Sequence, residues 1–161
     1  MNIRFLVTQR GFLGFSGAVA FLCLAFAFYA QYFLNVNPCV LCLYERYLYG
    51  AVVLLGMGSL SISYYRLAFN ILGGVLAFGC LLSIYHLGVE LHWWQGTAAC
   101  HGVTQQAKNI EELRALLRAK PMARCDQANW FILGMSATYL NVIWFMIFSA
   151  LWHIVRRQDK C

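Results

Sequence analysis

Apolar positions in this chain come in four long uninterrupted blocks rather than at every second residue. No Asp, Glu, Lys, Arg or His occurs in 11–31, 47–65, 67–85 or 130–152. Each block supplies the roughly 20 residues that, at about 1.5 Å of rise apiece, cross a hydrocarbon core. Continuous blocks suit helices; barrel strands would alternate. The pattern predicts membrane spans at 11–31, 43–64, 67–88 and 130–152, with loops 32–42 and 89–129 together on one side. The fold class expected is an all-α integral membrane protein, one domain over 1–161, built as a four-transmembrane-helix bundle.

Local signals refine this. Asn35-Val36-Asn37-Pro38 breaks the chain between the first two spans, since proline lacks an N–H and restricts its predecessor. Arg66 marks a tight turn between the second and third. Trp130 and Trp152 would stand about 33 Å apart on one helix, as interfacial belt residues, with Trp93 and Trp94 also at the outer interface. Gly73, Gly74 and Gly79 are expected to let helices approach closely. In the long loop, Asn109 reads as a cap with Glu112 three residues on, and Ile110, Leu113, Leu116 and Leu117 share a face. This predicts a short amphipathic helix in the second external loop, lying over 109–118 on the membrane surface or packed on its own loop. Arg4 and Arg10 precede the first block in the manner of a signal peptide. Its apolar stretch exceeds the usual 7–15 or so residues and no small-x-small site closes it, so a retained helix is expected.

Composition agrees: 61% of residues are hydrophobic and 11% charged, against about 25% charged in soluble domains. Charge placement sets the orientation. Arg4, Arg10, Arg66, Arg156, Arg157 and Lys160 flank the spans on the side of the termini, opposed only by Asp159. On the other side Arg46, Lys108, Arg114, Arg118, Lys120 and Arg124 face Glu45, Glu90, Glu111, Glu112 and Asp126, mostly within one long loop. Basic residues in short flanks determine sidedness, so both termini read as cytoplasmic. The net charge of +6 is then membrane topology, and nothing resembles a nucleic-acid footprint.

The seven cysteines sort by depth. Cys23 and Cys80 fall inside spans, where a thiol behaves as a small hydrophobe. Cys161 belongs to the cytoplasmic tail, a reducing compartment. Cys39, Cys42, Cys100 and Cys125 all lie on the oxidising face, which disulfide chemistry requires. Cys39-Val40-Leu41-Cys42 is a C-x-x-C set at the mouth of the second span. Cys42 in the first turn meets unpaired N–H groups and the positive helix end, both of which favour a thiolate. Arg46, four residues on, shares that face and adds a fixed charge; an arginine so near hydrocarbon marks function. Three other readings compete. A pair of structural disulfides would gain little from so short a Cys39–Cys42 loop. A zinc site, with or without His101, would want a second close cysteine pair, so no metal is expected. Arg46 could also snorkel as an anchor. Spacing alone leaves the pairing of the four cysteines open.

Residues Pro38-Cys39-Val40-Leu41-Cys42-Leu43-Tyr44-Glu45-Arg46 resemble the first-loop signature of the DsbB family of bacterial disulfide bond formation proteins. Cys100, Cys125 and the segment Trp130-Phe131-Ile132-Leu133-Gly134-Met135-Ser136 resemble that family's second loop and its lead into the fourth helix. The likeness extends over nearly the whole chain. It implies a multi-pass protein of the bacterial inner membrane that reoxidises a DsbA-like periplasmic thioredoxin-fold protein and passes electrons to a membrane quinone, ubiquinone or menaquinone. The implied relay runs from a mixed disulfide at Cys100, with Cys125 exchanging onto Cys39, to a freed Cys42. Arg46 and His86 are implied quinone contacts, with Glu45 a further candidate. Two rivals remain open: a non-enzymatic four-span adaptor with stapled external loops, and a vitamin K epoxide reductase-like enzyme. The first has no need of C-x-x-C at a helix start, and the second carries its pair on the last spans.

Overall fold

The computed structural model describes residues 8–60, 64–101, 109–111, 114, 123–128, 130–132 and 134–158. Four helices dominate: α1 Gln9–Phe33, α2 Val40–Met57, α3 Tyr65–Glu90 and α4 Ala137–Gln158, each long and apolar enough to cross a membrane. Short 3-10 turns occupy Gly58–Leu60 and Ala98–His101, and strands β1 Phe131–Ile132 and β2 Met135–Ser136 form a small hairpin ahead of α4. The expected all-α, four-helix membrane bundle is what the chain forms.

Helix starts follow from local chemistry. Thr8 caps α1, its hydroxyl oxygen accepting the Gly11 N–H at 3.1 Å. After α1, Asn35 turns the chain in the left-handed region (φ 55°), which asparagine tolerates better than most residues. Cys39 then takes extended backbone and caps α2 with its own sulfur, which accepts the Cys42 N–H at 3.2 Å. At the far end of α4, Arg156 and Arg157 meet the negative helix terminus.

Two spans are shorter than the apolar blocks suggested. The second ends at Met57 instead of 64, because Gly56, Gly58 and Ser59 form helix poorly and the chain tightens into a 3-10 turn. The fourth begins at Ala137 instead of 130. Gly134, at φ 82°, reverses the chain so that Phe131 pairs with Ser136 and Ile132 with Met135. Ser136 then accepts the Tyr139 N–H at 3.4 Å and opens the helix. The tryptophan belt assigned to this span fails with it. Trp130 lies outside the helix against Phe26, their rings 5.2 Å apart. Trp152 is buried: its indole N–H donates to the Phe69 carbonyl at 2.9 Å and its ring stacks on Phe69. Of the expected 109–118 helix, residues 110, 111 and 114 have helical backbone and others lie outside the described residues, as does Cys161.

Glycine sets the close approaches. Gly17 of α1 meets Gly56 of α2 so tightly that a Cβ on Gly17 would lie 2.8 Å from the Gly56 Cα. A Cβ on Gly73 would strike the Trp152 ring, and one on Gly79 the Phe145 ring, whereas Gly74 faces open space and has no such role. Phe12, Leu13, Val52, Phe69, Leu72 and Phe145 fill the core between these contacts. Phe21, Leu22, Leu54, Phe78 and Leu81 point outward and are exposed, while Glu45, Ser83 and His86 are buried. Apolar outside and polar within is the arrangement that lipid selects.

Candidate active site

Because α1 and α3 end where α2 and α4 begin, residues 34–39, 91–101, 123–128, 130–132 and 134–136 gather at one end of the bundle. That end holds Cys39, Cys42, Cys100 and Cys125. Three of them are buried together with Leu41 and Val89, and the sulfurs stand in a row. Cys42 Sγ lies 2.7 Å from Cys39 Sγ. Cys39, Cys125 and Cys100 then pack in one buried cluster. Backbone contacts fix the row: Ala123 bridges to Cys39, and the Cys125 N–H donates to the Cys100 carbonyl at 3.0 Å. The Thr97 hydroxyl sits 3.4 Å from Cys100 Sγ.

The row is electrostatically graded. Cys125 is held down to about 5 because the Cys39 thiol donates to it, with Cys100 and the Leu41 N–H as further donors. Cys39 is pushed well up, chiefly because its proton serves Cys125 and Cys42. Cys100 is raised by burial first, and then by donating to Cys125. Of the three cysteines outside the spans, Cys125 is the one favoured as a thiolate.

A second chain of contacts leaves Cys39 on its other side. His86 Nε2 is 3.4 Å from Cys39 Sγ, and its Nδ1 is 3.0 Å from Glu45 Oε1. Asn141 of α4 donates to the other Glu45 oxygen, and the Tyr49 hydroxyl donates to Asn141 Oδ1 at 3.0 Å. Glu45 and His86 are 1% and 2% exposed, so this carboxylate is almost wholly removed from water and depends on its partners. Arg46, next along α2, points elsewhere. Its guanidinium donates to the Gln31 side chain and, at 3.3 Å, to the Ala27 carbonyl, and lies 5.3 Å over the Phe28 ring.

Cys39, Cys42, Glu45, Arg46 and His86 all border one cavity of about 420 Å³, which Leu24, Phe26, Ile143, Trp144 and Ile147 complete with apolar surface. Size and lining fit a small, largely apolar molecule with a few polar contacts. Five of the seven site residues picked out from sequence thus meet at one cavity, and Cys100 and Cys125 join it through the sulfur row. Asn141, Tyr49 and Gln31 were missed. Asn141 carried a signal, being a polar amide inside an apolar span. Cys39, Cys42 and His86 also present donor atoms within 4.8 Å of one another, a spacing a metal ion could bridge.

Four sulfurs in line at one end of a membrane bundle, beside a buried imidazole–carboxylate pair, mark a membrane thiol–disulfide oxidoreductase as the class. The family comparison agrees. The chain belongs to the DsbB family: the sequence model described as "Disulfide bond formation protein DsbB" matches residues 9–155. It is similar to the disulfide bond formation protein B of Pasteurella multocida, 31% identical over 163 residues, covering 91% of this chain and 84% of that one. The protein of the same name from Mannheimia succiniciproducens is 30% identical over 135 residues, covering 80% and 75%. The uncharacterized protein RP370 of Rickettsia prowazekii is 28% identical over 130 residues, covering 78% and 74%. No solved structure matches.

Proposed function

We propose that this protein reoxidises a DsbA-like thioredoxin-fold dithiol at the periplasmic face of the bacterial inner membrane and delivers the electrons to a membrane quinone, both termini being cytoplasmic. The observation that carries the reading is the unbroken sulfur row from Cys100 through Cys125 and Cys39 to Cys42 at the rim of the cavity.

In the resting form Cys100 pairs with Cys125, and Cys39 with Cys42. A thiolate of the partner attacks Cys100 Sγ, and Cys125 leaves. The Leu41 N–H receives the charge of the departing Cys125 thiolate. Cys125 then attacks Cys39 Sγ and expels Cys42 as a thiolate at the start of α2, where unpaired N–H groups and the helix dipole stabilise it. The partner's second thiolate releases the oxidised partner and frees Cys100, which reclaims Cys125 and leaves Cys39 reduced. His86 Nε2 is placed to hold or move a proton at Cys39 Sγ, with Glu45 fixing the imidazole from the other side.

A bound quinone supplies the two-electron, two-proton acceptor that returns Cys39 and Cys42 to the disulfide. The lining suits such a group: apolar walls for a ring and its tail, with polar side chains including Cys42, Arg46 and His86. Arg46, held by Gln31 and Ala27, would orient a carbonyl oxygen there. The test uses purified protein with a soluble quinone and a thioredoxin-fold dithiol. Cys42→Ser should abolish quinone reduction; retained reduction would overturn the reading.

A further inference from the structure

We propose that the dithiol form of this protein binds one thiophilic divalent cation of the zinc class at Cys39, Cys42 and His86, and that the bound ion halts turnover. The three donor atoms lie within 4.8 Å of one another on α3 and the start of α2. A tetrahedral zinc site with Zn–S near 2.3 Å and Zn–N near 2.0–2.1 Å needs sulfur and nitrogen about 3.5 Å apart and two sulfurs about 3.8 Å apart. Cys39 Sγ and His86 Nε2 already stand at 3.4 Å. The two sulfurs, at 2.7 Å, must open by about 1 Å, within the reach of a small side-chain rotation.

The surroundings are those of a metal-binding histidine. A ligating imidazole typically offers one nitrogen to the ion and donates its other N–H to a carboxylate. His86 turns Nε2 toward the sulfurs and Nδ1 toward Glu45, and Asn141 holds the far oxygen of that carboxylate. The Cys42 N–H already donates to Cys39 Sγ, which helps neutralise a bound thiolate. Cys125, in contact with Cys39, is the nearest source of a fourth ligand when all four thiols are reduced. The cavity beside Cys42 and His86 supplies an entry route.

Binding forms two metal–sulfur bonds and one metal–nitrogen bond and releases the two thiol protons together with any proton held at His86 Nε2; no electron moves. The Cys39–Cys42 disulfide cannot make those bonds, so oxidation state gates the site. This rests on the C-x-x-C pair being reducible and not on the acceptor, so a failed quinone assay would leave it standing.

The test is anaerobic titration of the full-length protein in detergent with Co²⁺, followed by displacement with Zn²⁺. Reduced protein should bind one Co²⁺ with the intense visible bands of a tetrahedral thiolate site, and diamide-oxidised protein should give none. His86→Ala should lose or alter those bands, and Glu45→Gln should weaken affinity by about 10- to 100-fold. Added Zn²⁺ should stop dithiol turnover until a chelator is supplied. Absence of the bands in reduced protein, equal binding by oxidised protein, or an unchanged spectrum and affinity in His86→Ala would overturn the proposal. Should the variant misfold, the comparison of reduced and oxidised wild type decides.

Discussion

Replacing Cys39 with alanine removes the thiol that donates most strongly to Cys125, and the acidity of Cys125 should report the loss. Cys125 sits at about 5, well below an ordinary thiol, so the folded protein favours its thiolate. Three donors work against burial to produce it, and the Cys39 thiol is the largest. A hydrogen bond to a charged group contributes about 1.5–3 kcal/mol, so its loss should lift the Cys125 midpoint by about one to two pH units. Cys39→Ser retains a donor and should stay closer to wild type. The assay is carbon-13 NMR of cysteine-labelled, fully reduced protein in micelles, following the Cys125 β-carbon against pH. The sign for stability follows. Because folding depresses this group, its contribution is complete above the unfolded value, shrinks as pH falls, and is gone below about 5. A wild-type midpoint near 9, or one that does not move in Cys39→Ala, would refute the charge assignment along the row.

Three further outcomes are expected. Arg46→Ala should raise the KM for a soluble quinone more than that for the dithiol partner, and equal effects on both would count against its orienting role. Gly73→Ala should destabilise the bundle by about 1–3 kcal/mol in a mixed-micelle unfolding titration, because the new methyl meets the Trp152 ring, while Gly74→Ala should change little. Asn141→Leu strips partners from Glu45 and Tyr49 and should cost about 1–3 kcal/mol in the same titration; an unchanged midpoint would show that the buried carboxylate does not need this amide.

Hydropathy found all four helices because a span is a long-range average that single residues barely disturb. It overran where apolar content and helical backbone part company. Phe131, Ile132 and Met135 are as apolar as any helix residue, yet Gly134 turns them into a hairpin, and glycines 56 and 58 stop α2 within a block that hydropathy reads straight through. Sorting cysteines by depth picked out four that meet at one end. That Cys125 touches Cys39 depends on a bridge between Ala123 and the α2 cap, a contact between segments about eighty residues apart that no local pattern encodes. Arg46 was legible as a cation close to hydrocarbon, but its partners Gln31 and Ala27 belong to another helix. Glu45 and His86 were legible only through resemblance, and their direct pairing came from the packing of α2 on α3.

Cys39 begins α2 with the same atom that the proposed chemistry uses. Its sulfur receives the Cys42 N–H, and a sulfur accepts a proton far better as a thiolate than when shared in a disulfide. Each electron pair that passes therefore tunes how firmly the first turn of the helix is tied down. Amide exchange at Cys42 becomes a built-in gauge of oxidation state, readable without any label on the thiols. The same economy constrains engineering: a residue chosen to silence the chemistry at position 39 must also be able to start a helix.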